Sequence, residues 1–196
     1  MIVLASTSAS RRQLLSQTGI SFNTAKPPVD EAPIKARLKA AGAGAAEVAG
    51  VLAESKAASV ADILPGHYII GADQMLECDG TWFDKPADRE EARRHLQTLR
   101  GRTHQLVTAT VIAHEGKTIW RYSETAKMTM RDFSSDFLDQ YLDKAGDTVI
   151  QSVGAYQLEG LGAQLFARIE GDFFAILGLP VVSLLNALRE AGALPE

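Results

Sequence analysis

Residue types that handle phosphate and its counter-ions bracket the stretch IIGADQMLECDGTWFDKP, residues 69–86. Tyr68-Ile69-Ile70 is an apolar strand run, Gly71 lets the backbone come close to a neighbour, and Asp73 is expected at the strand end. A second short apolar run, Met75-Leu76, leads to Asp79-Gly80, a hairpin-turn pair. Thr81-Trp82-Phe83 reads as the return strand, and Lys85-Pro86 closes the excursion. One acid at a strand tip and one lysine just past a hairpin could hold a metal and a phosphate. Taken alone, the stretch is better explained by a turn aspartate and a solvated lysine; the rest of the chain changes the balance.

The N-terminus supplies a second candidate. A short strand over residues 1–5 runs into Ser6-Thr7-Ser8-Ala9-Ser10, a small-hydroxyl run suited to turning and N-capping. A helix is expected from Ser10 to Thr18, with Leu14, Leu15 and Thr18 on one face and Gly19 as its stop. Arg11 and Arg12 stand in its first turn, where the macrodipole is already positive and each cation costs a few tenths to about 1 kcal/mol. An anion at that helix end would remove the conflict, because free N–H groups, serine hydroxyls and guanidinium groups all favour phosphate. A pair of exposed arginines tolerated at small cost explains the same residues equally well.

Further on, Lys26-Pro27-Pro28-Val29-Asp30-Glu31 reads as a rigid loop carrying two adjacent carboxylates. Such acids are usually solvated, but beside a third acid such as Asp73 they are ligands for a hard cation. A long helix is expected over residues 45–62, with Val48, Val51, Leu52 and Ser55 on its apolar face. Lys56 neighbours that face, where a lysine more often snorkels to the surface than binds a ligand.

The elements that must position these groups alternate between strand and helix. Residues 20–24 read as a strand and 33–41 as a helix. Asp88 opens another helix with Glu91 three residues on, in capping-box fashion, and Ala92, Leu96 and Leu99 form its buried stripe before Gly101. Residues 103–114 and 118–130, joined at Glu115-Gly116, make a long hairpin. Ser134 caps a helix burying Phe137, Leu138, Tyr141 and Leu142. Residues 148–158 read as irregular with strand character, and Gly154, Gly160 and Gly162 mark tight backbone around Glu159. Residues 165–169 form a last strand, and Gly178-Leu179-Pro180 launches a final helix expected to bury Val182, Leu185 and Leu188. Alternation interrupted by an antiparallel hairpin implies an α/β fold with a mixed sheet and flanking helices.

Composition bounds the function. The 196 residues are 46% hydrophobic, enough for a core within one domain or two lobes around one core. A net charge of -4 argues against non-specific binding to nucleic acid or anionic membrane, while still allowing a local basic pocket. No apolar run is long enough to span a bilayer, and the N-terminus does not read as a signal peptide. The one cysteine, Cys78, excludes an intrachain disulfide and suits a reducing, cytoplasmic setting. The histidines His67, His95, His104 and His114 show no zinc spacing, and Trp82 and Trp120 read as hairpin packing.

Taken together, these segments resemble one known family. The run Leu4 to Arg12, with Leu14-Leu15 and Gly19 behind it, resembles the opening motif of the Maf-like nucleotide pyrophosphatases. Asp30-Glu31, Glu54-Ser55-Lys56-Ala57, Ile70-Gly71-Ala72-Asp73, Lys85-Pro86, Gly101 with His104, Gly154-Ala155-Tyr156, Glu159-Gly160 and Gly178-Leu179-Pro180 follow in that family's order over nearly the whole chain. Each motif is weak alone; in order they are highly specific. The resemblance implies one Maf-like domain over residues 1–196, an elongated two-lobed α/β fold with a mixed sheet and a central cleft, similar to the inosine triphosphate pyrophosphatases. It implies hydrolysis of nucleoside triphosphates to monophosphate and pyrophosphate with a divalent cation, Mg²⁺ or Mn²⁺, as a house-cleaning activity of nucleotide metabolism.

On the matching positions it implies Asp73 as proton acceptor and Ser6, Arg11, Arg12, Lys56 and Lys85 as phosphate-binding groups. Glu31 and Asp73 become the metal-side acids, and Ser10, Gln74 and Glu159 the base-side positions. At the base-side positions the chain carries Ser, Gln and Glu, closer to the 7-methyl-GTP subgroup (Trp, Gln, Glu) than to the dTTP/UTP subgroup (Arg, Thr, Gln). It lacks the aromatic that would stack on a positively charged base. Ala9-Ser10 stand where relatives often have proline followed by Arg or Trp, and Gln151-Ser152 where many have Asp-Lys. The family is consistent with a homodimer. The competing reading is a nucleotide-sensing or partner-binding protein that influences septation without catalysis; the acids Glu31 and Asp73 favour the enzyme.

Overall fold

The computed structural model describes residues 1–195. Its elements, in order, are β1 (Ile2–Ala5), α1 (Ala9–Gln17), β2 (Phe22–Ala25), α2 (Glu31–Ala40), α3 (Ala45–Ala61), β3 (Tyr68–Cys78), β4 (Thr81–Phe83), α4 (Arg89–Leu99), β5 (Thr103–His114), β6 (Lys117–Met130), α5 (Ser135–Ala145), β7 (Phe166–Glu170), α6 (Phe173–Ile176) and α7 (Val181–Glu190). The strands form one seven-stranded mixed sheet in the order β2-β1-β3-β5-β6-β7, with β4 paired to β3. The α/β class with a mixed sheet and flanking helices is therefore as the alternation of elements implied. Two compact units share β3, β5 and β6: Met1–Gln74, Thr108–Glu124 and Asp172–Glu196 form the first, Met75–Val107 and Thr125–Gly171 the second.

In the first unit β1 lies parallel to both β2 and β3, with Ala5 opposite Ala25 and Gly71. All four residues of β1 are buried, as a strand covered on both faces must be. Ile2, Leu4, Leu14, Leu15, Ile70 and Ile112 share one core with Leu179, Leu184 and Leu188. On the other face α3 packs close enough to β3 that only glycine fits at residue 71. A Cβ there would stand 2.2 Å from Ala53 O and 2.8 Å from Ala57 Cβ.

In the second unit the Asp79-Gly80 turn has φ of 50° and 76°, the left-handed pair that a two-residue hairpin requires. It joins β3 to β4 antiparallel, with Leu76 opposite Phe83. Asp88 caps α4 by accepting from Glu91 N at 2.7 Å, and Glu91 returns the bond by accepting from Ala87 N at 2.7 Å. Ala92, Leu96 and Leu99 are buried, as their spacing implied.

Five expectations change. β3 is one continuous strand of 11 residues, so Asp73 sits in its middle rather than at its end. The strand that stops there is its neighbour: the last β1·β3 pair is Ala5–Gly71, and Asp73 lies two residues beyond it. Asp30 and Glu31 are not in a loop; Asp30 is the N-cap of α2, accepting from Ala32 N at 3.2 Å, and Glu31 begins the helix. Residues 148–158 hold no strand; Gly146–Ile150 and Val153–Ala155 are 3-10 turns. The short helix α6 escaped the pattern because four residues carry no period. Finally, α7 buries Val181, Leu184, Ala187 and Leu188 while Val182 is exposed. The buried stripe is displaced by one residue from the expected one at its first two positions, while Leu188 is buried as expected.

Candidate active site

The local structure of the N-terminal loop follows from its hydroxyls. Ser6 Oγ accepts from Ser8 N at 3.1 Å, and Ser8, as N-cap of α1, accepts from Arg11 N at 3.4 Å. Satisfying these donors fixes the strand-to-helix turn and delivers Arg11 on the inner face of the first helical turn. The Arg11 guanidinium is then held by two backbone carbonyls, Nε donating to Gly178 O at 3.0 Å and Nη1 to Ala72 O at 2.9 Å. A Cβ on Gly178 would come 3.2 Å from Arg11 Nε, so glycine there also makes room for the arginine. Burial lowers the Arg11 pKa, while Asp73 and then Glu31 raise it. The cation in the first turn of α1 is thus offset by carboxylates from β3 and α2.

Around Asp73 the geometry is tight. Lys56 Nζ donates to Asp73 Oδ1 at 2.6 Å and lies 2.8 Å from Glu31 Oε1. Lys56 is not a snorkelling residue: it is 7% exposed, and Asp73 is 5% exposed. Such a charge is stable inside only when paired, and α3 supplies the pair because Lys56 faces β3 through the gap left by Gly71 and the small residues Ala53 and Ala57. Burial pushes the Glu31 carboxyl up, but the Lys56 hydrogen bond and charge, with Lys35 and Arg11 adding, outweigh it and hold it below the usual carboxylate value. Asp73 Oδ2 is buried with no hydrogen-bond partner among the described residues.

An orphaned, buried carboxylate oxygen next to a second carboxylate is a donor set that fits a hard divalent cation. Two such ligands, completed by substrate phosphate, are what Mg²⁺ commonly takes. Among the described residues no group of three or more His, Cys, Asp or Glu is arranged for a metal.

The first unit therefore brings together Arg11, Glu31, Lys56 and Asp73, four of the residues singled out in the sequence. Ser6, buried, stands in the same loop as the α1 N-terminus. Ser10 is half-buried in the first turn of α1. Arg12, one residue past Arg11, is exposed and lines an open groove of about 570 Å³ with Ser16 and residues 19–24, on the side of α1 next to β2. Gln74, on the face of β3 opposite Asp73, donates to Thr108 Oγ1 and to the carbonyls of Ala175 and Ile176. In the second unit, Lys85 is exposed after β4. Glu159 is also exposed there, in a segment where a Cβ on Gly154 or Gly162 would meet atoms at 2.6 Å and 2.4 Å, respectively.

Thr108 was passed over in the sequence. The signal was present: a hydroxyl inside the apolar run LVTATVIA of β5 must find a partner once buried.

Within this α/β fold a strand-turn-helix thus presents an arginine beside a buried aspartate and a partly exposed glutamate, both held by one lysine. Residues 1–191 match the model of the Maf-like protein family, and the chain belongs to that family. It is 53% identical over 192 residues to a nucleoside triphosphate pyrophosphatase of Paramagnetospirillum magneticum, covering 98% of this chain and 99% of the relative. It is 48% identical over 188 residues to a 7-methyl-GTP pyrophosphatase of Brucella abortus (96% and 94% covered) and 46% identical over 194 residues to one of Rhizobium meliloti (99% and 98%). A solved nucleoside-triphosphatase / dITP/XTP pyrophosphatase from Mycobacterium abscessus aligns over 99% of this chain and 97% of its own at 15% identity with a TM-score of 0.44; at that likeness the assignment rests on the sequence relatives.

Proposed function

We propose that the protein hydrolyses nucleoside triphosphates to the monophosphate and pyrophosphate, with a guanine-type base of the 7-methyl-GTP kind as the favoured substrate class. Two kinds of support meet here: full-length relatives carry those activities in their names, and Asp73 offers a buried, unpartnered carboxylate oxygen beside paired cations. The latter observation carries the mechanism.

Lys56 holds Asp73 by Oδ1, which leaves Oδ2 to take a proton from the attacking water. Water so oriented attacks the α-phosphorus in line with the leaving pyrophosphate. Arg11, fixed by Gly178 O and Ala72 O, retains guanidinium donors for phosphate oxygens, and its orientation costs nothing at the moment of reaction. Ser6, Arg12 and Lys85 are assigned to the phosphates, and Ser10, Gln74 and Glu159 to the base. A divalent cation, Mg²⁺ or Mn²⁺, held by Glu31 and Asp73, would supply charge neutralisation for the phosphate oxygens. Cys78, a buried free thiol, suits the reducing cytoplasm to which such house-cleaning belongs.

The test is product analysis. Purified protein with Mg²⁺ is offered UTP, dTTP, CTP, GTP and 7-methyl-GTP, with pyrophosphate and orthophosphate measured separately. Pyrophosphate release that falls by about 10²–10⁴-fold in Asp73→Asn is expected. Orthophosphate with nucleoside diphosphate would mean that a different bond is cut, and near-native turnover by Asp73→Asn would remove Asp73 from its role.

A further inference from the structure

Along the first part of β6 every second side chain turns inward, and the last of these is an acid. Residues 117–125 alternate between exposed and half-buried, with Trp120, Tyr122 and Glu124 on the inner face. Trp120 and Tyr122 stack there, with ring centroids 5.7 Å apart. Glu124, the charged member of that face, accepts two hydrogen bonds. Tyr122 Oη donates to its Oε2 at 2.7 Å, and Asp172 N donates to its Oε1 at 2.7 Å. The Tyr122 hydroxyl is also hydrogen-bonded to Ser183 in α7.

Asp172 and Ser183 bracket the segment that anchors Arg11. From Glu124 the hydrogen bonds run on without a break. Asp172 N donates to Glu124, Ala175 N to Asp172 Oδ1 at 2.7 Å, Gly178 N to Ala175 O at 2.9 Å, and Arg11 Nε to Gly178 O at 3.0 Å. The segment has little of its own to hold it in shape. α6 is a single turn of four residues, too short to be stable by itself. Phe173 and Phe174, its first half, are exposed and bury little. Gly178, at φ 111°, is conformationally free in a way that a residue with a side chain is not. The bonds at the two ends of the segment therefore set where the Gly178 carbonyl stands.

We infer that Glu124 is a positioning residue for the phosphate-side arginine: with Tyr122 it fastens residues 172–183 at both ends and so holds the Gly178 carbonyl that orients Arg11. This rests on the pyrophosphatase reading above.

Two readouts test it in the wild type, Glu124→Ala, Glu124→Gln, Arg11→Ala and the double variant Arg11→Ala/Glu124→Ala. One is solvent exchange of the Arg11 Nε–H, followed by heteronuclear NMR of isotope-labelled protein and assigned by its loss in Arg11→Ala. The other is kcat/KM for pyrophosphate release, with Mg²⁺, from the best-used triphosphate of the panel above. Glu124→Ala is expected to speed the exchange by about tenfold or more, roughly the worth of one hydrogen bond. It is expected to lower kcat/KM by about 10–100-fold, as a displaced phosphate clamp would. Glu124→Gln keeps an oxygen for Asp172 N and restores both readouts. In the Arg11→Ala background Glu124→Ala lowers kcat/KM no further, because the acid acts through the arginine. Should Arg11→Ala show no turnover, the exchange rate and the glutamine rescue decide. Should Glu124→Ala not fold, Tyr122→Phe, which removes only the hydroxyl, decides by the same readouts. Unchanged exchange in Glu124→Ala, a Glu124→Gln as impaired as Glu124→Ala, or losses that multiply in the double variant make Glu124 a purely structural fastening. Any of these overturns the inference while leaving the pyrophosphatase reading intact. Pyrophosphate from no triphosphate in the wild type, with exchange still faster in Glu124→Ala, removes the pyrophosphatase reading and leaves the hold of Glu124 on Arg11 standing.

Discussion

Lys56 Nζ lies 2.6 Å from Asp73 Oδ1, and both side chains are almost wholly buried. An ion pair of this kind contributes little over a well-packed apolar pair, but breaking it from one side leaves a bare charge in a low-dielectric interior. Lys56→Met is therefore expected to cost about 3–5 kcal/mol, because it leaves the buried Asp73 without its ammonium partner and beside a second carboxylate, Glu31. Lys56→Met combined with Asp73→Leu should cost less than the sum of the single changes, with a coupling of roughly 1–3 kcal/mol in urea unfolding. Additive costs would mean the pair is not coupled.

Gly71→Ala tests the close approach of α3 to β3. The new methyl would meet the Ala53 carbonyl at 2.2 Å, a backbone atom that cannot swing aside. A loss of about 3 kcal/mol or more in thermal unfolding is expected, together with lost activity, since Lys56 rides on the helix that must move. Wild-type stability in Gly71→Ala would show that this packing is looser than the structure has it.

His104 predicts the acid limb of stability. It is 1% exposed, its Nε2 is 2.9 Å from Tyr156 Oη, and burial lowers its pKa to about 4. Between pH 6.5 and 4 the unfolded chain binds a proton that the folded chain does not, so stability falls as pH drops through this window and is unaffected by His104 above it. The loss amounts to about 3 kcal/mol by pH 4, from a shift of roughly 2.5 pH units. Urea unfolding of the wild type and His104→Phe across this range measures it; the variant should show a shallower slope, and parallel slopes would exclude His104 as the source.

Asp88 closes a reciprocal cap on α4 with Glu91. Asp88→Ala is expected to cost about 1 kcal/mol, and Asp88→Ser to recover most of it. Equal stability of Asp88→Ala and the wild type, by thermal unfolding, would show that the cap contributes nothing in this context.

Much of this protein is written locally. Asp79-Gly80 and Glu115-Gly116 dictate their hairpins because left-handed backbone is demanded there, and Ser134 and Asp88 dictate their helix starts because orphan N–H groups need an acceptor. The family order of motifs also pointed to Arg11, Glu31, Lys56 and Asp73, which the first unit does gather. Tertiary structure alone decided the rest. That Asp73 lies inside a long strand depends on β1 ending at Ala5 while β3 runs on beside other strands, a pairing no local pattern contains. The burial of Lys56 depends on Gly71 admitting α3, and the face of α7 that is buried, Val181, Leu184, Ala187 and Leu188, depends on the core it packs against. The fixed amide of Gln74 depends on Thr108 and on two carbonyls about a hundred residues away, whose acceptor character is a property of every backbone and so leaves no mark in the sequence.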